Sequence, residues 1–366
     1  MLLGARNQWF GRQYSALSIP ASADPLEQIV APHLTALFEG VESACEAGFA
    51  RRCQTRYDPC TDADIWQAIQ KVRAKDSDKA LSPQELKIPE WRLFSKPDAT
   101  KNNRDLQLRS VELPPGYRQW IDQVFLLEKL REVRAFVGFT RLEATGEDPT
   151  ARLAPLRRGS AEWVPAAEVR GEGIFLPVSE QAIERWVRKC VQRNHQFVAA
   201  HRRWREQRSL DPTGYPGMRY VLLHSLSHAL IRAFSLECGY ASASLQERIY
   251  SVDPKSGEAM SGILIYTAAP DSEGSLGGLV SLGETEALER HLDQALEGLD
   301  VCASDPLCAE TQPDQAFLSL HGAACHSCLF LPETCCERGN RYLDRSVLVP
   351  TLEHSEFAGV CLMARS

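Results

Sequence analysis

Long hydrophobic runs are absent from this 366-residue sequence. No apolar stretch approaches the roughly 18 residues that a membrane-spanning helix needs. The opening MLLGARNQWF also lacks the continuous apolar core of a secretory signal peptide, because charged and amide side chains interrupt it. We therefore expect a cytoplasmic protein that has no membrane partner.

An excess of positive charge is also missing. Lys and Arg total 41 against 48 Asp and Glu, a formal net charge of −7. This balance excludes a protein coated in basic residues, so any contact with nucleic acid requires a local basic patch. The hydrophobic share of 44% and the charged share of 24% exclude a disordered or coiled-coil chain. At about 150 residues per domain, the length predicts about two domains.

Cysteine, in contrast, is abundant and unevenly distributed. The chain has 12 cysteines, and most of them lie between Cys302 and Cys361. Cytosolic thiols are kept reduced, so a disulfide framework is not expected. Cys325 and Cys328 form a CxxC motif, the adjacent Cys335 and Cys336 follow, and Cys302 and Cys308 lie upstream. This spacing predicts a metal site.

Zinc is the metal that such a cluster favours. Four thiolates bind Zn²⁺ tetrahedrally and leave no position for a reactive water, which predicts a structural site. An iron–sulfur cluster uses the same ligands, whereas a redox CxxC needs two cysteines and no more. The adjacent Cys335 and Cys336 have room for one ligand in most geometries. The complete ligand set therefore stays open at this point.

Apolar periodicity predicts an α/β (or α+β) fold, a mixed helix–sheet domain with a C-terminal Cys₄ zinc module. We expect helices over 24–46, 117–133, 179–208, 218–238 and 284–299, and strands over 14–19, 135–142, 171–178, 246–251 and 262–267. The predicted division is an N-terminal α+β region (1–115), a helix–strand core (116–301) and a zinc-binding module (302–366).

The helix expected over 179–208 has a basic face opposite its apolar stripe. The residues of this face are Arg185, Arg188, Lys189, Arg193 and Arg203. A solvated helix surface is one interpretation of such a run. The other is a surface that contacts DNA phosphates or an acidic partner.

Two histidines in the sequence HSLSH also need an interpretation. His224 and His228 are four residues apart, the spacing at which one helix face supplies two metal ligands. The segment lacks the Glu of an HExxH motif, so we expect two hydrogen-bonded core histidines. The alternative is an enzyme that acts on nucleic acid or nucleotides through a cleft around His224, His228, Asp271 and Glu273. No nucleophile–base pair at a recognisable spacing supports this alternative.

Residues from about 130 to 345 resemble a known family. The matching stretches are LREVRAFVGFTRL, GEGIFLPVSEQAIERW, HSLSHALIRAFSLECGY, SASLQERIY, GILIYTAAPDSEGSLGG, CASDPLCAE and HGAACHSCLFLPETCCERGNRYLDR. They are similar to the helicase-associated domain at the C-terminus of MrfA-type helicases. They resemble more closely the DrmB family of the DISARM anti-phage system.

The resemblance implies a non-motor accessory subunit of a DNA helicase or translocase complex in bacterial anti-phage defence. It implies a DrmA-like helicase and DNA as partners, and it implies no catalytic role. The zinc ligands that it carries over are Cys308, Cys325, Cys328 and Cys336. Cys302 is the alternative to Cys308, and Cys335 is the alternative to Cys336.

Overall fold

The computed structural model describes residues 9–19, 30, 40–47, 61–76, 83–96, 102–141, 153–156, 159, 163–237, 242–267, 278–314, 320–333 and 335–359. The chain divides into two compact units, one of Met1–Ile19 with Glu90–Ser366 and the other of Pro20–Pro89. Helix α1 (Asp62–Asp76) belongs to the smaller unit. There it buries Ile65, Ala68 and Ile69 in a small core of its own.

The larger unit is built on an antiparallel sheet. Its described strands are β1 (Trp9–Leu17), β2 (Leu106–Val111), β3 (Val124–Arg141), β4 (Ala166–Pro177), β5 (Leu245–Val252) and β6 (Met260–Thr267). They are ordered β1-β3-β4-β6-β5, and β2 pairs with the first half of β3 while β1 pairs with the second half. The predicted mixed helix–sheet fold is confirmed. Antiparallel pairing of these strands makes it α+β.

Strand β3 occupies the place of an expected helix. The amphipathic helix predicted over 117–133 is wrong, because one 3₁₀ turn ends at Tyr117 and β3 begins at Val124. The register with β4 shifts between Leu127 and Leu130, which marks a bulge or irregularity in the strand. This shift places two buried leucines three residues apart, a spacing that imitates a helical period.

The described helices within 180–206, 217–237 and 285–300 lie where the sequence pattern predicts helix, whereas those over 83–95 and 278–282 were not expected. The described helices after α1 are α2 (Pro83–Ser95), α3 (Glu180–Val187), α4 (Val191–Glu206), α5 (Gly217–Glu237), α6 (Gly278–Leu282) and α7 (Thr285–Asp300). The single helix expected over 179–208 is instead two, because the chain turns between α3 and α4. The helix expected over 24–46 lies mostly outside the described residues.

Helix α5 lies at the centre of the larger unit. Most of its residues are buried, from Met218 to Phe234, and they share one core with β5, β6 and α7. A helix that is apolar on all sides must be covered on all sides. No helix in the described part of the chain is long and apolar enough to cross a membrane.

The chain after α7, residues 302–348, which we call the cysteine-rich segment, supplies part of that cover. Leu320, Leu329, Leu343, Val347 and Leu348 are buried in the same core as α5. The segment therefore belongs to the larger unit and shares the core that surrounds α5.

Two buried ion pairs anchor the chain after the cysteines. Arg193 on α4 donates from Nε to Asp344 Oδ2 over 2.7 Å, and both side chains are fully buried. Arg345 pairs with Asp305 and donates from Nη1 to the carbonyl oxygen of Leu299 over 2.7 Å. Arg193 therefore belongs to the core, which corrects its assignment to an exposed basic face.

We expect Asp344→Asn to lower the free energy of unfolding by about 3–5 kcal/mol, because it leaves the Arg193 guanidinium buried without its counter-charge. Burial alone would raise the pKa of Asp344, but Arg193 and Ser346 hold this pKa below its ordinary value of 3.8. A carboxylate with a depressed folded-state pKa stabilises the protein above its unfolded pKa, and this contribution is lost as the pH falls. Urea denaturation at several pH values measures both effects.

The matched control is Glu184→Gln, which removes an exposed partner 3.8 Å from Arg188. Exposed pairs contribute little, so its unfolding free energy should change by less than about 0.5 kcal/mol. Equal destabilisation by the two variants would contradict the role given to Asp344.

Candidate metal centre

Four cysteine sulfurs converge just after α7. We call Cys302, Cys308, Cys325 and Cys328 the four-cysteine cluster, and their Sγ atoms all lie within 4.8 Å of one another. The Sγ–Sγ distances are 3.4 Å for Cys302–Cys325 and 3.7 Å for both Cys308–Cys328 and Cys325–Cys328. A tetrahedron of Zn–S bonds of about 2.3 Å separates its sulfurs by roughly 3.7 Å, whereas a disulfide needs about 2.05 Å. The cluster therefore has the dimensions of a zinc site.

Backbone hydrogen bonds prepare these sulfurs for a metal. The CxxC turn directs the N–H of Cys325 to Cys328 Sγ over 3.2 Å, and the N–H of Ser304 donates to Cys302 Sγ over 3.4 Å. Because metals bind thiolates, such donors favour the ligand form.

A second group of metal-binding side chains lies nearby, and we call it the His–Glu–Cys cluster. It consists of His224, His228, Glu247 and Cys336, whose ligand atoms also lie within 4.8 Å of one another. All four residues are buried. Burial alone would raise the pKa of the Cys336 thiol, but His224 and His228 lower it to about 7.

The expected zinc ligands are thus divided between two places. Cys308, Cys325 and Cys328 lie together as expected, but the fourth sulfur beside them is Cys302 and not Cys336. Cys335 lies apart from both clusters and donates from Sγ to the carbonyl oxygen of Ser242 over 3.0 Å. The four-cysteine geometry thus includes both upstream cysteines, which sequence reasoning had treated as alternatives.

Glu247 is the residue that sequence reasoning missed. It lies on β5 and pairs across the sheet with Ile265 of β6. A glutamate within a strand carries no motif of its own, and the sequence distance from HSLSH hides its proximity. The histidine spacing was a usable signal, but its carboxylate partner emerges only from the packing of β5 against α5.

The basic residues expected on one face have different environments. Arg185, Arg188 and Lys189 are exposed at the end of α3 and in the turn that follows, and we call them the α3 basic patch. Arg193 is buried in its ion pair. Arg203 is half-buried and donates to the carbonyl oxygens of Pro313 and Asp314.

The residues of the alternative catalytic cleft do not form an open site in the described part of the chain. His224 and His228 are fully buried. Asp271 and Glu273 lie outside the described residues. The two histidines therefore face the protein interior, where a substrate from solvent does not reach them.

Comparison with known protein families finds a match in the part of the chain that contains the four-cysteine cluster. Residues 226–329 match the model of the MZB family, the MrfA Zn-binding domain. This range contains all four residues of the four-cysteine cluster. The match and the sulfur geometry together support zinc binding by this part of the chain.

A curated relative matches nearly the whole chain. DISARM protein DrmB of Bacillus paralicheniformis is 30% identical over 365 residues, which cover 96% of this chain and 64% of the relative. The predicted resemblance to the DrmB family is confirmed, and the chain spans about 64% of the length of this relative.

Among solved structures, the crystal structure of the DUF1998 helicase MrfA bound to DNA matches part of the chain. The match has 12% identity and a TM-score of 0.27, and it covers 58% of this chain and 23% of that one. A TM-score of this size does not establish a common fold.

We expect Cys328→Ser to remove the zinc ion of the four-cysteine cluster, because three thiolates and a hydroxyl no longer provide the tetrahedral sulfur set. Zinc per chain, measured by inductively coupled plasma mass spectrometry, should fall by about one equivalent. The control is Cys335→Ser, which removes a neighbouring thiol outside both clusters. Undiminished zinc in Cys328→Ser would show that this cluster does not hold the metal.

Proposed function

We propose that this chain is a non-motor accessory subunit of a DNA helicase or translocase complex in bacterial anti-phage defence. The observation that carries the proposal is its 30% identity to DISARM protein DrmB over 96% of the chain. The match to the MrfA Zn-binding domain supports a connection with helicases. The proposed partners are a DrmA-like helicase and DNA.

The α3 basic patch is the part of the surface that we assign to DNA. Arg185, Arg188 and Lys189 follow a spacing of three and four residues, which places them on one side. Arg188 has an acidic neighbour at 3.8 Å, too loose to neutralise an exposed guanidinium. In a chain with a net charge of −7, such a patch gives the local positive field that phosphates need.

Charge reversal of the patch tests this assignment. We expect the triple variant Arg185→Glu, Arg188→Glu, Lys189→Glu to bind DNA more weakly in the presence of the helicase. Each lost phosphate contact should reduce the slope of log K against log salt by about 0.9. Fluorescence anisotropy over a salt titration measures the slope, and a pull-down without DNA reports helicase association separately.

The matched control reverses three exposed cations of the sheet and the β5–β6 turn, Lys129, Arg170 and Lys255. It makes the same change in net charge, so it separates a local contact from a general electrostatic effect. An unaltered salt slope in the patch variant, or an equal loss in the control, would rule out the patch as the DNA contact.

The zinc of the four-cysteine cluster has a structural role in this proposal. Its four sulfurs close the coordination sphere, so no open position remains for a reactive water. The cluster joins the segment just after α7, through Cys302 and Cys308, to the CxxC turn. Zinc binding of this kind contributes directly to the ordering of a loop-rich segment.

Limited proteolysis tests the structural role. We expect Cys328→Ser to be cut faster within 302–345 than the unaltered chain, because the loops lose their cross-link. The buried contacts of Leu343 and Val347 with the core should still protect the rest of the larger unit. Cys335→Ser serves again as the control, and an identical cleavage pattern in zinc-depleted Cys328→Ser would refute a structural role.

A further inference from the structure

We propose that the His–Glu–Cys cluster is a second zinc site, distinct from the four-cysteine cluster. Its ligands are Nε2 of His224, Nε2 of His228, a carboxylate oxygen of Glu247 and Sγ of Cys336. The match to the MrfA Zn-binding domain covers residues 226–329, so it includes neither His224 nor Cys336. This inference goes beyond the proposed function and does not depend on it.

The donor atoms converge at distances that suit one small ion. Nε2 of His224 lies 3.0 Å from Glu247 Oε1 and 3.1 Å from Cys336 Sγ. Nε2 of His228 lies 3.5 Å from the same Glu247 oxygen. Zinc bonds of about 2.0–2.3 Å to nitrogen, oxygen and sulfur place tetrahedral ligands roughly 3.3–3.6 Å apart. The distance between His228 and Glu247 lies within this range, and the two distances from His224 are 0.2–0.3 Å shorter than its lower end, about the shift by which an ion would spread the ligands.

The ring of His228 is oriented as a ligand. Its Nδ1 lies 2.8 Å from the carbonyl oxygen of Leu329, which accepts hydrogen bonds and cannot donate them, so Nδ1 carries the proton. In the neutral ring, Nε2 then presents a lone pair to the carboxylate of Glu247. Metal-bound histidines use this arrangement, with the distal nitrogen donating to a backbone carbonyl.

Several polar atoms of the cluster have no hydrogen-bond partner within the described residues. They are Nδ1 of His224, Nε2 of His228 and Oε2 of Glu247. Buried polar groups are rarely left unpaired, because the desolvation cost is not recovered. One cation at the centre would satisfy Nε2 of His228 and can also bind Oε2 of Glu247, whereas Nδ1 of His224 is not a ligand atom and is not explained by the ion.

Cys336 is held in the conformation of a metal-binding turn. Its Sγ accepts the N–H of Arg338 over 3.4 Å and the N–H of Asn340 over 3.2 Å. Gly339 and Asn340 have φ values of 58° and 60°, the left-handed conformation that glycine and asparagine adopt most readily. The sequence CERGN thus builds a turn whose amides point at a sulfur and favour its thiolate form.

A divalent ion would balance the charges of the ligands at this buried position. The thiolate and the carboxylate carry two negative charges, and the two imidazoles as ligands carry none. A Zn²⁺ ion would make the buried group neutral, which avoids the cost of burying unbalanced charge. Two imidazoles, one carboxylate and one thiolate form a mixed nitrogen, oxygen and sulfur set that suits zinc.

The site would join three separate parts of the chain: α5, β5 and the cysteine-rich segment. His228 lies one turn of α5 away from Arg232, which donates to the carbonyl oxygen of Ser327 over 3.0 Å. The N–H of Glu337 donates to Glu247 Oε1 over 3.1 Å, so the carboxylate also contacts the turn that holds Cys336. We infer that this ion fixes the cysteine-rich segment to the buried helix.

The test is a measurement on the full chain with all its cysteines intact. We expect about two zinc ions per chain after dialysis against a weak chelator. Zinc X-ray absorption should give an average of about 2.5 sulfur and 1.5 nitrogen or oxygen ligands per ion, with Zn–S near 2.3 Å and Zn–N near 2.0–2.1 Å. A single equivalent with an all-sulfur shell would overturn the proposal, and this result needs no variant to fold.

Variants then assign each ion to its cluster. Cys336→Ser should lose about one equivalent and most of the nitrogen and oxygen shell, whereas Cys308→Ser should lose one equivalent and most of the sulfur shell. Cys335→Ser, beside Cys336 in sequence but outside both clusters, should retain both ions. Two full equivalents in a folded Cys336→Ser variant would refute the assignment.

Discussion

The burial of helix α5 is the constraint on which the rest of the larger unit depends. A helix enclosed on every side must find partners for each polar group it carries, because water is not available to them. His224, Ser225 and His228 all lie on its buried surface. Ser225 accepts the N–H of Asp344, and the histidines meet Glu247, Cys336 and the carbonyl of Leu329. The buried polar side chains of α5 therefore require β5 and the cysteine-rich segment to lie beside them, because these supply the hydrogen-bond partners.

Several residues of the cysteine-rich segment pair with buried polar groups of the larger unit. The carbonyl oxygen of Leu329, directly after the CxxC motif, accepts a hydrogen bond from His228. Sγ of Cys336 lies within hydrogen-bond distance of His224. Further along, Asp344 and Arg345 place their charges in the core, where Arg193 and Asp305 balance them. A segment rich in turns would not recover its ordering entropy through apolar contacts alone. The buried ion pairs supply part of the remainder, and the proposed zinc ligation would supply more.

The same packing determines which charges remain available to partners. Of the basic residues first grouped on one face, Arg193 and Arg203 are used inside the molecule, and Arg185, Arg188 and Lys189 remain at the surface. The proposed DNA contact is consequently smaller than the periodicity of a single long helix predicts. Its proposed location, at the end of α3, follows from the turn that separates α3 from α4.

The sequence alone was sufficient to predict features that depend on residues close together in the chain. The CxxC spacing predicted a metal site, the all-round apolarity of residues 218–238 predicted a buried helix, and the β5–β6 hairpin followed from two apolar runs around a turn. Other features depended on contacts distant in sequence. A register shift in β3 imitated a helical period, and Arg193 became internal because Asp344 lies opposite it. The fourth sulfur beside Cys308, Cys325 and Cys328 proved to be Cys302, while Cys336 lies with Glu247 and the two histidines. The spacing of cysteines and histidines in the sequence shows which residues can bind a metal. The packing of α5, β5 and the cysteine-rich segment decides which of them lie together, because ligand atoms must come within a few ångströms of one another.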